Sequence, residues 1–192
     1  TGTYMCPQLN MNRYITLTVS SGKAIKLDFM AAAAGTPVRI VSGSNIQDII
    51  VGTDWYGGNI SSNFTVTAAA SIITIYGDLK GFACEYNGAN LTALDPSHNT
   101  QLRGLFCPSN TLSNLDVSKN TQLTSLDCRS NTLSSLDLSH NTQLEQLWCD
   151  NNNLSSLDVS KNTKLTELRC SENRFSSLDV SKNTKLWFLY CY

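Results

Sequence analysis

The chain carries little charge and no long apolar run. Asp, Glu, Lys and Arg make up 15% of its 192 residues, and the net charge is −1. There is therefore no basic surplus to attract nucleic acid or an anionic membrane. Nowhere do 18 apolar residues run together, so we expect no membrane span. The chain starts at Thr1 without a basic or apolar leader, and we expect any signal segment to have been removed or never to have existed.

The motifs of cofactor chemistry are also missing. Gly57-Gly58 has only the character of a turn, and no other glycine motif could hold a phosphate, so we predict no cofactor. Ser, Thr and Asn instead fill 61 positions. These side chains compete with helical backbone hydrogen bonds, which disfavours a mainly helical protein.

Branched aliphatic residues divide the chain in two. All ten Ile residues lie at or before Ile75, whereas only three of 24 Leu residues come before Leu79. This switch predicts a domain boundary near Gly77, with a small antiparallel β-sandwich over residues 1–77 that caps the second part. Apolar and polar residues alternate over short segments of residues 1–77, as they do in half-buried strands. The predicted strands are 14–19, 23–29, 38–41, 49–51, 64–67 and 72–76.

From Leu79 onward the chain repeats itself every 21 residues. The unit is L-x-x-L-x-C-x-x-N-x-L-x-x-L-D-x-S-x-N-T-x, which predicts a leucine-rich repeat solenoid over residues 78–192, with five repeats and a terminal half repeat. Each copy would lay down one short parallel strand, with Leu105 and Cys107, for example, pointing into the stack. Asn110, Asn131 and Asn173 would turn the chain with their amides. Leu112, Leu115 and Val117 suggest a second extended run, so the fold is predicted to be β-rich with little or no helix.

This segment resembles the cysteine-bearing leucine-rich repeats of internalin J-like bacterial surface proteins. The segment L-D-V-S-K-N-T-x-L of the repeat also resembles repeats of secreted proteins from the Bacteroides group. The resemblance covers about 60% of the chain and implies a secreted or surface-attached bacterial protein that binds a partner. Residues 1–77 resemble no family that we recognise.

One cysteine of each copy forms a column: Cys84, Cys107, Cys128, Cys149, Cys170 and Cys191. Zinc needs four converging ligands, usually from C-x₂₋₄-C pairs, and a one-per-strand column does not supply them. A disulfide needs Cβ atoms ~3.8 Å apart, closer than strands in register. We therefore predict free, buried thiols that act as small core side chains. Cys6 lies outside the column.

Two other polar columns have both a chemical and a structural interpretation. His98 and His140 follow serines, but the same column holds Lys119, Lys161 and Lys182, which indicates a solvated position rather than a catalytic one. Asp116, Asp137, Asp158 and Asp179 could attract calcium. We favour the structural alternative, in which their oxygens accept backbone hydrogen bonds at a repeated bend.

Recognition residues are expected at the outward positions of the strands, because the residue at these positions differs from copy to copy. Exposed aromatic residues mixed with Arg match the composition of binding surfaces, and Trp also stacks on sugars. We predict that this concave face binds a protein or a glycan, with Phe106 and Trp148 as apolar anchors. The predicted contact residues are Phe106, Asp127, Arg129, Trp148, Asp150, Arg169 and Tyr190.

Three alternatives remain at this point. The solenoid could be a spacer for display, or it could self-assemble as a homodimer through its apolar last strand, residues 186–192. A carbohydrate-active accessory domain is less favoured. A hydrolase would need a nucleophile–base pair or paired carboxylates in a pocket. Only the loop around Asp54-Trp55-Tyr56 could enclose a substrate, and it contains no evident base, so we predict a protein that is not an enzyme.

Overall fold

The computed structural model describes residues 8–54 and 64–192, and within these ranges it contains thirteen strands and no helix. The strands are β1 Tyr14–Val19, β2 Ala24–Ala31, β3 Thr36–Ser42, β4 Asn45–Val51, β5 Phe64–Thr67, β6 Ile72–Tyr76, β7 Leu79–Ala83, β8 Leu91–Asp95, β9 Gly104–Phe106, β10 Ser125–Asp127, β11 Gln146–Trp148, β12 Glu167–Arg169 and β13 Phe188–Tyr190. The predicted mainly-β fold is confirmed.

The first six strands cover the segments that the alternating pattern predicts, although β4 begins at Asn45, four residues before its predicted start. In β1, Ile15, Leu17 and Val19 are buried and the residues between them are partly exposed. Strand β1 lies between β6 and β8 in a five-stranded antiparallel sheet of order β4-β3-β6-β1-β8. One face of this sheet therefore packs on the hydrophobic core, and the other faces solvent.

The repeats form a stack of parallel strands. Strands β7 and β9 to β13 pair in register, so that Leu105, Leu126, Leu147 and Leu168 lie side by side in the core. Cys84 to Cys170 form a second buried column beside them. The inward positions match between copies because each must pack on the same residue of the next strand.

Asparagine side chains hold the turn after each strand, as predicted. Asn131 Nδ2 donates to the carbonyls of Cys107, Cys128 and Arg129, and its Oδ1 accepts from Leu112 N. Asn110, Asn152 and Asn173 repeat the arrangement. These bonds satisfy buried backbone groups that the ends of short strands leave without partners.

The return side of the solenoid differs from the prediction. Leu112, Leu115 and Val117 are buried, but the segment that carries them is not a hydrogen-bonded strand. Its backbone makes isolated contacts between copies, such as Thr132 N to Leu112 O. Turns and asparagine side chains bond others of its backbone groups, as Asn120 Nδ2 does to the carbonyls of Pro96 and Asn99.

The two parts of the chain share one sheet. Strand β2 pairs antiparallel with β7, which continues the parallel stack into an eight-stranded sheet of order β13-β12-β11-β10-β9-β7-β2-β5. Strand β8 pairs with β1 in the other sheet. Core residues of both parts belong to a single buried cluster. The predicted boundary between residues 77 and 78 falls in the turn between β6 and β7.

Candidate functional site

Three rows of side chains cross the solvent side of the parallel strands, which is the concave face of a leucine-rich repeat. Strand pairing defines the first two rows, and backbone bonds beyond the strand ends, such as Ser109 N to Arg129 O, extend the ladder to the third. The entry row is Gly81, Gly104, Ser125, Gln146, Glu167 and Phe188. The middle row is Ala83, Phe106, Asp127, Trp148, Arg169 and Tyr190. The exit row is Glu85, Pro108, Arg129, Asp150, Ser171 and Tyr192.

Trp148 stands at the centre of this face with an arginine from each neighbouring copy against it. The guanidinium carbon of Arg129 lies 4.8 Å from the centre of the Trp148 ring, and that of Arg169 lies 5.2 Å away. Arg169 also lies 5.1 Å from the ring centre of Phe188. These distances are within cation–π range. The indole therefore supports two guanidinium groups, in addition to offering apolar surface of its own.

Each arginine also pairs with a carboxylate on its own copy. Arg129 Nε and Nη2 donate to the two oxygens of Asp127 at 2.9 and 2.7 Å, and this bond raises the pKa of Arg129. Arg169 Nε donates to Glu167 at 2.9 Å. The expectation that Asp127 is exposed is wrong, because only 2% of it is accessible beneath Arg129. Asp127 orients Arg129 and does not itself face solvent.

A groove of about 460 Å³ runs along the exit row. Arg129 and Arg169 line it together with Asp150 and Tyr190, all four of which the sequence selected, and Tyr86 is a further lining residue. The Asp150 carboxylate is held by the backbone and hydroxyl of Ser171 at 3.0 and 2.8 Å. Phe106 is partly buried in the middle row and does not line the groove.

Glu85, at the start of the exit row, is a residue that the sequence analysis did not select. Only 8% of it is exposed. Burial raises its pKa to about 7, and the nearby Asp127 carboxylate adds to the shift, while Arg129 opposes it. The only sequence signal was its place in the exit row, where Asp150 is the other acidic residue.

The cysteine column has the burial that the sequence predicts, except at its last member. The first five members are buried free thiols, and burial raises their pKa, to about 12 for Cys170. Cys191 is exposed. Within residues 8–54 and 64–192, no three His, Cys, Asp or Glu side chains are grouped so as to hold a metal ion. Cys6 lies outside the described residues.

The other two polar columns have structural roles at the described positions. Asp116 Oδ1 accepts from Ser118 N at 2.9 Å, and the same bond recurs in the next three copies. These backbone bonds lower the pKa of the four aspartates. His98 stacks on Tyr14 with ring centres 4.2 Å apart, and both histidines contact the serine before them. Trp55 and Tyr56 of the candidate loop lie outside the described residues.

The last strand exposes large apolar side chains. Trp187 is 75% exposed, Tyr192 91% and Leu189 42%, whereas Leu168 in the preceding copy is fully buried. A homodimer through residues 186–192 stays a prediction. No helix of the described residues is long and apolar enough to cross a membrane.

Comparison with solved structures identifies similar solenoids. The chain is similar to the functional domain of InlJ from Listeria monocytogenes, which includes a cysteine ladder, with 42% sequence identity and a TM-score of 0.58 over 59% of this chain and 25% of that one. It is also similar in fold to the internalin InlF from Listeria monocytogenes str. 4b F2365, with 24% identity and a TM-score of 0.53 over 57% of this chain and 34% of that one. The chain thus spans a quarter to a third of these proteins. No family model and no curated protein matches it.

Proposed function

We propose that this chain, a cysteine-bearing leucine-rich repeat solenoid with an N-terminal β-sheet region, is a non-catalytic module that binds a protein partner through its concave face. The observation that carries the proposal is the Arg129–Trp148–Arg169 cluster. Arg, Trp and Tyr are the residue types that most often dominate binding energy at protein interfaces.

The pattern of variation along the repeats supports a binding role. The buried columns hold Leu, Cys and Asn in copy after copy, because each strand must pack on the next. The middle and exit rows of the concave face instead change identity at every strand, in the middle row from Phe106 to Asp127 to Trp148. A surface that served only as a spacer would not need aromatic and guanidinium groups held in one cluster by carboxylates.

A protein partner fits this geometry better than a glycan. A sugar ring stacks on an open aromatic face, but two guanidinium groups lie within 5.2 Å of the Trp148 ring centre and cover part of it. The groove is also polar and open, with charged residues on its walls. Such a surface suits the mixed polar and apolar contacts of a protein interface.

The proposed setting is outside a bacterial cell. The support is the similarity to internalin solenoids, together with the sequence of the repeat unit. The same similarity supports a non-catalytic role. The carboxylates of Asp127, Asp150 and Glu167 support it as well, because each accepts a hydrogen bond from a neighbouring residue of the chain.

A binding panel tests the proposal. The full chain and three variants would be tested against extracellular-matrix proteins, mucin glycans and plant polysaccharides, with melting curves for each form. Trp148→Ala and Arg169→Ala remove two parts of the cluster. The matched control is Tyr76→Ala, which removes a half-buried aromatic from the five-stranded sheet, away from the concave face.

We expect a protein hit that both cluster variants weaken at least about tenfold and that the control keeps, corresponding to about 1.4 kcal/mol. A hit retained by both folded cluster variants would contradict the proposal and favour a spacer role for the solenoid. A hit among the glycans alone would assign the face to carbohydrate.

A further inference from the structure

Aromatic rings and guanidinium groups alternate along the repeats on the concave face. The guanidinium carbon of Arg169 lies 5.2 Å from the ring centre of Trp148, in the preceding copy, and 5.1 Å from that of Phe188, in the following copy. Arg129 contributes a second cation to Trp148, at 4.8 Å, from the copy before it. The series is therefore ring, cation, ring, cation, and it crosses the face diagonally from the entry row to the exit row.

The series stops at Arg129, which has an aromatic ring on one side only. Among residues 8–54 and 64–192, Trp148 is the one ring within cation–π distance of its guanidinium carbon. The Asp127 carboxylate binds Arg129 along its edge, because the N–H donors of a planar guanidinium group lie in its plane. The Arg129 side chain is 32% exposed. One face of this guanidinium group is thus left without an aromatic contact.

The groove beside Arg129 extends over the two preceding copies, where Tyr86, Pro108 and Ser109 line it. Tyr86 N donates to Pro108 O in the next copy, and Ser109 N donates to Arg129 O in the copy after that. Neighbouring strands are ~4.8 Å apart, so roughly 10 Å separates the backbones of Tyr86 and Arg129. A ring between two planar groups needs roughly 7 to 8 Å, twice the usual contact distance. The small lining residues of the intervening copy leave this space open.

Tyr86 is exposed and has a backbone conformation that bulky residues rarely adopt. It is 62% exposed, and its φ of 55° lies in the left-handed region. The repeat imposes this conformation, because the equivalent residues of the next four copies have φ between 52° and 57°: Ser109, Ser130, Asn151 and Glu172. Glycine would adopt it without strain. A tyrosine at this position is unfavourable for the fold alone, which indicates that its side chain has a contact outside the chain.

We infer that the space between Tyr86 and Arg129 is a subsite for an aromatic side chain of the protein partner. The inference rests on the proposed function and adds the chemistry of one contact. The partner's ring would lie against the uncovered face of Arg129 and beside Tyr86, and it would extend the alternation of rings and cations by one member. Aromatic side chains are enriched in protein interfaces, and a cation attracts the face of a ring. An aliphatic side chain would fill the same space without that attraction.

Short peptides test the subsite without knowledge of the partner. The probes are the acetylated, amidated tripeptides Gly-Trp-Gly and Gly-Leu-Gly, and NMR titration of the full chain measures their affinities and follows the Arg129 Nε–H signal. Tyr86→Ala removes the ring on one side of the space. Ser109→Tyr places a ring of the chain itself there, at a left-handed position equivalent to that of Tyr86. The matched control is Tyr76→Ala, on the five-stranded sheet.

We expect Gly-Trp-Gly to bind at least about fivefold more tightly than Gly-Leu-Gly and to shift the Arg129 Nε–H signal. Tyr86→Ala and Ser109→Tyr should each weaken Gly-Trp-Gly binding at least about threefold, whereas Tyr76→Ala should change it by less than about 1.5-fold. Equal affinity for the two peptides, or Gly-Trp-Gly binding unchanged in both groove variants, would overturn the subsite. The proposed function would survive that outcome if the panel hit still depended on Trp148.

Discussion

Arg129 lies 4.8 Å from the centre of the Trp148 ring and at the same time binds both carboxylate oxygens of Asp127. One guanidinium group thus joins the aromatic residue of one repeat to the buried acid of another. The pairing fixes the direction of Arg129, and a preorganised side chain loses less entropy when it binds a partner. Arg129 is therefore held in place on the concave face by contacts within the chain itself.

Arg129→Ala should destabilise the fold by about 2 kcal/mol, because it leaves the Asp127 carboxylate buried without a counterion. The double variant Asp127→Ala, Arg129→Ala should recover part of that loss. The free energy of unfolding in urea measures both. If the double variant were as unstable as the sum of the single variants, Arg129 would not be compensating Asp127.

Asn131→Ala should cost at least about 3 kcal/mol, because it removes three donated bonds and the acceptor for Leu112 N inside the turn. The control is Asn153→Ala, a partly exposed position one residue after the equivalent turn asparagine, Asn152. We expect the control to change stability by less than about 0.5 kcal/mol in the same denaturant titration. Similar losses in both variants would mean that the ladder of turn amides is not a main source of stability.

The exposed thiol of Cys191 should react much faster than the buried thiols of the cysteine column. In a Cys6→Ser background, native protein should react with a thiol reagent at Cys191 alone, since the other five column cysteines are buried and their pKa values are raised. Unfolding in denaturant should make all six react. Mass spectrometry of the labelled protein counts the sites. Disulfide-linked pairs in the untreated protein would contradict the free-thiol column.

The four turn aspartates should contribute to stability at neutral pH and lose that contribution in acid. Their pKa values are lowered in the folded state, so the contribution is present above the unfolded pKa and disappears as the pH falls through the folded one. Replacing Asp116, Asp137, Asp158 and Asp179 by Asn keeps the acceptor oxygen and removes the titration. Melting temperature between pH 6 and pH 2 should therefore vary less in this variant than in the wild type, and parallel curves would refute the assignment.

Glu85→Gln should stabilise the protein at pH 8 by about 1 kcal/mol and have little effect at pH 5. The pKa of Glu85 is raised from 4.5 to about 7, so the folded state loses stability as the pH rises through this window. The effect is small because solvent near the side chain screens its charge. Unfolding in urea at the two pH values checks the sign, with Glu145→Gln as the control. Greater stabilisation at pH 5 than at pH 8 would show that Glu85 is not strained by ionisation.

Much of the concave face could be predicted, because the 21-residue spacing determines which residues lie on it. Once the 21-residue unit is recognised, the outward positions of each strand are known, and Trp148, Arg129 and Arg169 are identified as neighbours. The sequence could not show that Asp127 is covered by Arg129, since that depends on which rotamers the two side chains adopt. It also could not select Glu85, whose pKa depends on burial and on an acid two strands away.

The sequence by itself determined the parallel stack, the buried leucine and cysteine columns and the asparagine turns. The reason is that each copy must pack its inward residues on the same residues of the next copy. Only the tertiary structure decided that β2 and β5 join the solenoid sheet, since nothing in a repeat specifies which strand adjoins its first copy. That pairing brings Asp28, on β2, onto the same face as Glu85, which follows β7, although 57 positions separate them in the sequence. The composition of the face at the junction is thus a property of the folded chain alone.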